Sequence, residues 1–219
     1  MNNVDNADLI ILGGGPAGYH AALVAVNSGL RVSLFEAKRL GGTCLNEGCI
    51  PSKSLLHTAK VFEYGKNSTR YGVMAEEVKI DHQSAMKSKD RIVRALVQSI
   101  SDSLKKQGVN VIPEKAVISG KEDGLFCVRS ENHSEKSSKL LICTGSESAF
   151  PPIEGLDEAL ENGFAITSTD ILSLSEVPER LLVLGGGIIG LEMAQYYSAA
   201  GSSVKVIEML DHIGGSIDI

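Results

Sequence analysis

Three features of this 219-residue chain predict an α/β fold built on a parallel sheet. Short apolar runs alternate with longer stretches of helical periodicity, and glycine clusters separate a run from the helix that follows it. The pattern also occurs twice: residues 9–36 reappear as 181–208 under a shift of 172 positions. Alternation of this kind belongs to sheets whose parallel strands are joined by crossover helices.

Composition narrows the function classes. With 43% hydrophobic residues the chain can bury one or two cores, and a formal net charge of -6 leaves no broad basic surface. Nucleic acid and anionic membrane are therefore not expected partners. Residues 1–8 carry no positive charge, and the apolar run 9–12 is too short for a leader or a membrane span, so a cytoplasmic location is expected.

The first repeat opens with a strand, Leu9-Ile-Ile-Leu12, followed by Gly13-x-Gly15-x-x-Gly18, a helix, and a second strand reaching Glu36. The first glycine permits a tight turn, the second lets a pyrophosphate approach the backbone, and the third lets helix and strand pack closely. Unpaired N–H groups of the helix N-terminus then face the phosphates. Glu36, eighteen positions past Gly18, ends the second strand, where a carboxylate accepts hydrogen bonds from a ribose and repels a 2′-phosphate.

Next comes Gly-Gly-Thr-Cys44-Leu-Asn-Glu-Gly-Cys49-Ile-Pro-Ser-Lys53. A disulfide closing so short a loop removes little unfolded-state entropy, so cycling between thiols and disulfide is the natural use of this pair. The spacing is one that zinc tolerates, but no second Cys/His pair accompanies it, so no metal site is expected. Cys127 and Cys143 are expected as buried thiols.

A helix is expected from about 50 to 66, with Pro51 in its first turn, and an amphipathic helix over 82–106, with Gly108 near its end. A strand at 109–112 follows. Residues 115–142 read as short strands, with turns at Gly120 and Asp123-Gly124 and a solvated hairpin tip over 130–138. Pro151-Pro152 and Gly155 mark a boundary, dividing the chain into 1–149 and 150–219. The second repeat then supplies Leu181-Leu-Val-Leu184, Gly185-x-Gly187-x-x-Gly190 and Glu208. One strand–helix–strand unit leaves a sheet edge and face uncovered, making 150–219 the less secure half. The five histidines, His20, His57, His82, His133 and His212, are expected as helix or surface residues rather than bases or ligands.

Two dinucleotide turns beside a thiol pair call for a resident cofactor and a visiting one, with a flavin as intermediary. The residues 13–18, 41–53, Thr144-Gly-Ser146, Glu179-Arg-Leu-Leu182 and Gly185-Gly-Gly-Ile-Ile-Gly-Leu-Glu192 resemble the flavin-dependent pyridine nucleotide–disulfide oxidoreductases. Leu45-Asn46 and Ile50-Pro-Ser-Lys53 resemble the lipoamide branch of that family.

The resemblance implies a Rossmann-type FAD-binding domain with a parallel sheet over 1–149, then the start of an NAD-binding Rossmann-type domain. It implies that Cys44 exchanges with the substrate disulfide and that Cys49 lies against the flavin, its thiolate favoured by the start of a helix. Gly13, Gly15, Pro16, Ala17, Gly18, Glu36, Gly42, Thr43, Ala116, Thr144 and Gly145 are implied to hold FAD. Gly185, Gly187, Ile188, Ile189, Gly190 and Glu208 are implied to hold NAD. Lys53 lies near the flavin, Glu192 lies near the nicotinamide, and the two are expected to pair.

The implied partner is dihydrolipoamide, or the lipoyl domain of a 2-oxo acid dehydrogenase complex, and full-length family members are homodimers. Family members continue well past the position of Ile219, into a C-terminal domain carrying a His–Glu acid–base pair. Two functions are thus expected: an FAD-dependent oxidoreductase passing electrons from dihydrolipoamide through Cys44–Cys49 to NAD, or a shortened paralogue or fragment that binds FAD or nucleotide without turnover.

Overall fold

The computed structural model describes residues 7–215. In chain order its elements begin with β1 (Leu9–Leu12), α1 (Pro16–Asn27), β2 (Val32–Phe35), α2 (Gly42–Asn46), α3 (Cys49–Lys66), α4 (His82–Lys106) and β3 (Asn110–Ile112). They continue with β4 (Val117–Glu122), β5 (Leu125–Arg129), β6 (Ser134–Ser137), β7 (Leu140–Ile142), α5 (Leu156–Glu161), β8 (Arg180–Leu184), α6 (Ile188–Ala199) and β9 (Ser203–Ile207). They form two compact units. One holds the described residues up to Asn46 with Val93–Glu147; the other holds Glu47–Ile92 with the described residues from Ser148.

The first unit is an all-parallel sheet in the order β3-β2-β1-β7, with an antiparallel meander β4-β5-β6. Both central strands are apolar along nearly their whole length because both of their faces are covered. Ile11 and Leu34 pack on one face with Ala22 of α1 and Leu104 of α4. Ile10, Leu12, Phe35 and Ile112 pack on the other face with Val128 of the meander. Each such side chain contributes about 1.5–3 kcal/mol through burial.

The meander is held by Glu114, whose carboxylate accepts from Ser130 Oγ, the Asn132 N–H, Asn132 Nδ2 and His133 Nδ1. These bonds, the Ser130 hydroxyl first, hold its carboxyl at about 2, below the ordinary 4.5.

The second unit is built on the parallel pair β8-β9, crossed by α6. Tyr196 and Tyr197 of α6 are fully buried among Leu55 and Ala59 of α3, Ala85 and Met86 of α4, and Ile171 and Leu172. Their hydroxyls are satisfied: Tyr197 donates to the Ile171 carbonyl at 2.6 Å, and Tyr196 lies 2.9 Å from His82 Nδ1. His82 Nε2 faces the Leu174 carbonyl at 3.0 Å, and a carbonyl only accepts. Nε2 therefore carries the hydrogen, and Tyr196 donates to Nδ1. Burial pushes the Tyr196 phenol up to about 12, so it keeps its proton. The outer positions of the strand pair, Leu182, Leu184 and Ile207, are exposed.

Several expectations need correction. Gly120 is not a turn: it lies inside β4 at φ +140°, where the register with β5 slips. The run 130–138 is not all hairpin tip. The turn closes at Ser130 N–H to His133 O, and Ser134–Ser137 form β6, with Glu135 and Ser137 buried. His82 is a helix residue, as expected, and is buried at the start of α4, whereas Cys143 is half-buried rather than buried. Among the described residues no helix is long and apolar enough to cross a membrane.

Because the Glu114 carboxyl is depressed on folding, its contribution to stability is complete above pH 4.5 and is lost as pH falls from there towards 2. Urea unfolding between pH 6 and 2 should show a smaller loss of midpoint for Glu114→Gln than for the wild type; parallel curves would contradict the role given to Glu114.

Candidate functional site

The two glycine turns are copies in geometry as well as in sequence. Gly13 and Gly185, at the ends of β1 and β8, have φ +103° and +106°, a left-handed backbone that favours glycine. Their N–H groups donate to Phe35 O and Ile207 O, each at 2.8 Å. A Cβ on Gly18 would fall on the Gly13 carbonyl oxygen, and a Cβ on Gly190 would fall on that of Gly185. The helix can start this close to the strand only because neither residue has a side chain. Gly15 and Gly187 are the N-cap residues of α1 and α6, and neither helix has a side-chain cap. The first-turn N–H groups are thus left for a ligand. Pro16 and Ala17, like Ile188 and Ile189, are exposed at these ends.

Both glutamates bend back onto the turns. Glu36 Oε2 accepts the Gly14 N–H at 2.6 Å, and Glu208 Oε2 accepts the Gly186 N–H at 2.7 Å. Glu36 Oε1 accepts from Lys38, and Glu208 Oε1 from Met209 and Leu210. The bonds from the Leu210 and Gly186 N–H groups lead in holding the Glu208 carboxyl below its ordinary value. Each carboxylate oxygen has a further lone pair, so acceptance of ribose hydroxyls remains open. The sequence reading missed the inward bond; its signal was the central glycine of each motif, Gly14 and Gly186, both buried.

In the first unit the turn is extended by neighbouring backbone. A Cβ on Gly42 would lie 2.7 Å from Gly15 Cα, so these two bare backbones form one wall. Thr43 is exposed and Cys44 half-buried on the same short helix α2. Cys143 N–H donates to Leu12 O at 2.7 Å, which sets Thr144 and Gly145, both exposed, beyond the end of β7. Ala116 packs against the Ile10–Phe35 cluster. This bare-backbone cradle beside Glu36 fits the pyrophosphate and ribose of a dinucleotide such as FAD.

In the second unit Cys49 is the first residue of α3 and is exposed. Lys53, one turn further on, donates from Nζ to Glu192 Oε1 of α6 at 2.5 Å. This bond, opposed by some desolvation and helped by the charge of Glu192, raises the Lys53 amine above its ordinary 10.5. The structure therefore brings the thiol-bearing helix and the helix opened by Gly187 together through a cation and a carboxylate. The unit boundary falls between Asn46 and Glu47, inside the thirteen-residue thiol segment. Among the described residues no cluster of His, Cys, Asp and Glu is arranged to hold a metal ion.

Residues 7–218 match the family model described as "Pyridine nucleotide-disulphide oxidoreductase". The chain is 39% identical over 218 residues to the dihydrolipoyl dehydrogenase of Acholeplasma laidlawii, covering 96% of this chain and 62% of that protein. It is 42% identical to the dihydrolipoamide dehydrogenase of Chaetomium thermophilum, covering 95% of this chain and 41% of that one. Among solved structures, the HOCl-induced flavoprotein disulfide reductase RclA from Escherichia coli, in its Cu(II) complex, is similar with a TM-score of 0.79 and 29% identity. That likeness covers 96% of this chain and 44% of the other.

The Lys53–Glu192 pair can be read directly. In Glu192→Gln the Lys53 amine should fall towards its ordinary value, so competitive labelling with acetic anhydride near pH 9 should modify Lys53 several-fold faster than in the wild type. An unchanged labelling rate would contradict the pair.

Proposed function

The chain belongs to the pyridine nucleotide-disulphide oxidoreductases, and from that premise we propose that it works as a dihydrolipoyl dehydrogenase, passing electrons from dihydrolipoamide through Cys44 and Cys49 and FAD to NAD. The observation that carries the reading is Lys53. It sits one turn after Cys49 and is bonded to Glu192 on the helix opened by the second glycine turn. The assignment of 1–149 to FAD and 150–219 to NAD follows the two turns, with Glu36 and Glu208 as the ribose acceptors.

The thiol chemistry falls to the cysteines. One thiolate of dihydrolipoamide attacks Cys44 Sγ of the oxidised pair, forming a mixed disulfide and releasing Cys49 as thiolate. The second substrate thiolate attacks its own sulfur in that mixed disulfide, closing lipoamide and releasing Cys44. Two electrons have then passed from substrate to the pair, and the two substrate protons are left to bases and solvent. FAD, when bound, supplies the two-electron acceptor between thiols and nicotinamide. Lys53 places a positive charge at the Cys49 end of α3 and Glu192 fixes its position. Glu208 disfavours a 2′-phosphate, which supports NAD over NADP.

The lipoyl domain of a 2-oxo acid dehydrogenase complex is the corresponding partner. The chain spans between 41% and 62% of the length of the two curated relatives described above. Binding of FAD or nucleotide without turnover therefore stays as the second reading. The likeness to the E. coli reductase keeps another disulfide substrate in the test.

Absorption spectra of the purified protein before and after dihydrolipoamide separate these readings. The proposal expects flavin bands that gain a long-wavelength thiolate-to-flavin charge-transfer band on reduction, and it expects Cys49→Ser to abolish that band while flavin stays bound. Bound flavin that does not respond to dihydrolipoamide but responds to another dithiol would move the substrate assignment. Absence of flavin would overturn the FAD reading.

A further inference from the structure

The repeat runs further than the 172-residue shift shows. Past Glu36 the chain returns over its own turn: Gly41 N–H donates to Gly14 O at 2.9 Å, and Leu40 Cδ2 lies 2.7 Å from where a Gly14 Cβ would stand. Past Glu208 the same return occurs one residue later. Gly214 N–H donates to Gly186 O at 2.7 Å, and Ile213 Cγ2 lies 2.9 Å from where a Gly186 Cβ would stand. The glycine pairs match in backbone as well, with φ +95° and +56° at Gly41 and Gly42, and +91° and +68° at Gly214 and Gly215.

The copies part at the next contact. Gly42 is pressed against Gly15, whereas among the described residues nothing lies within 4 Å of where a Cβ on Gly187 or Gly215 would stand. The first return also has a fastening. Asn46 Nδ2 donates to both Leu40 O and Gly42 O, each at 3.0 Å, so one carboxamide ties both ends of the glycine pair. Its Oδ1 is buried without a hydrogen-bond partner among the described residues, and the two donated bonds set the orientation of the group. A flipped amide would point its oxygen at two carbonyls.

We propose that Asn46 is a positioning residue that latches Gly42 onto Gly15, closing the first phosphate turn around its dinucleotide. This rests on the reading that the first turn holds FAD. A ligand behind a fastened wall leaves only when the wall opens, so the latch acts on the rate of release.

The test is flavin release from the purified protein, followed by the rise in flavin fluorescence after dilution into apo-flavoprotein scavenger. Asn46→Ala removes both bonds and should speed release by on the order of tenfold or more. Asn46→Asp keeps the shape but sets acceptors against both carbonyls, and it should release at least as fast as the alanine variant. Circular dichroism of the apoproteins checks that both variants fold, and a variant that folds, binds flavin and releases it at the wild-type rate overturns the latch. A wild-type protein that holds no flavin overturns the FAD reading and the latch with it, whereas unchanged release overturns the latch alone.

Discussion

In both glycine turns the first helical turn rests against the carbonyl of the glycine that ends the strand. Gly18 lies over Gly13 O and Gly190 over Gly185 O, with no room for a Cβ in either case. This contact sets the angle at which α1 and α6 leave their strands, and so where their uncapped N–H groups point. It also leaves the buried central glycine N–H to Glu36 or Glu208, which takes it up. One steric allowance therefore orders the strand end, the helix start and the acidic residue together. A methyl group at either glycine would push the helix away and undo all three.

From this common device the two units diverge through their surroundings. In the first, β1 and β2 are covered on both faces and the Gly41–Gly42 return is fastened by Asn46. In the second, one face of the β8-β9 pair carries exposed Leu182, Leu184 and Ile207, and among the described residues nothing lies within 4 Å of where a Gly187 Cβ would stand. The second unit draws its order instead from α6, whose paired tyrosines are buried against α3, α4 and the turn at Asp170–Ser173. Lys53 and Glu192 lie on two of those packed helices, so the ion pair is positioned by a rigid core although Lys53 itself is largely solvated. Rigid support beneath an exposed charge fits the place beside a cofactor edge proposed for Lys53.

Much of this was legible in the sequence because local periodicity and glycine spacing carry it. The helix expected over 82–106 has those bounds, since its apolar residues recur at helical intervals and its end is marked by Gly108. The two turns were legible because each glycine answers to one steric demand. What was hidden depends on distant partners. Glu135 and Ser137 are polar, yet both are buried on β6, where it pairs with β5. His82 reads as a helix-start residue until Tyr196, 114 positions away, takes its Nδ1. The grouping of 47–92 with the chain beyond 148 comes from side chains such as Leu55 and Met193 meeting in one core, which no local pattern reveals. The return over the second turn escaped because a single inserted residue changes the shift between copies from 172 to 173.

The central claim is that each glycine contact builds its own dinucleotide site. Calorimetric titration of Gly18→Val and Gly190→Val with FAD and with NAD tests it most directly. The account predicts that the first variant loses FAD binding, and that the second keeps FAD and loses NAD. Loss of FAD in Gly190→Val, or undiminished FAD binding in a folded Gly18→Val, would contradict it.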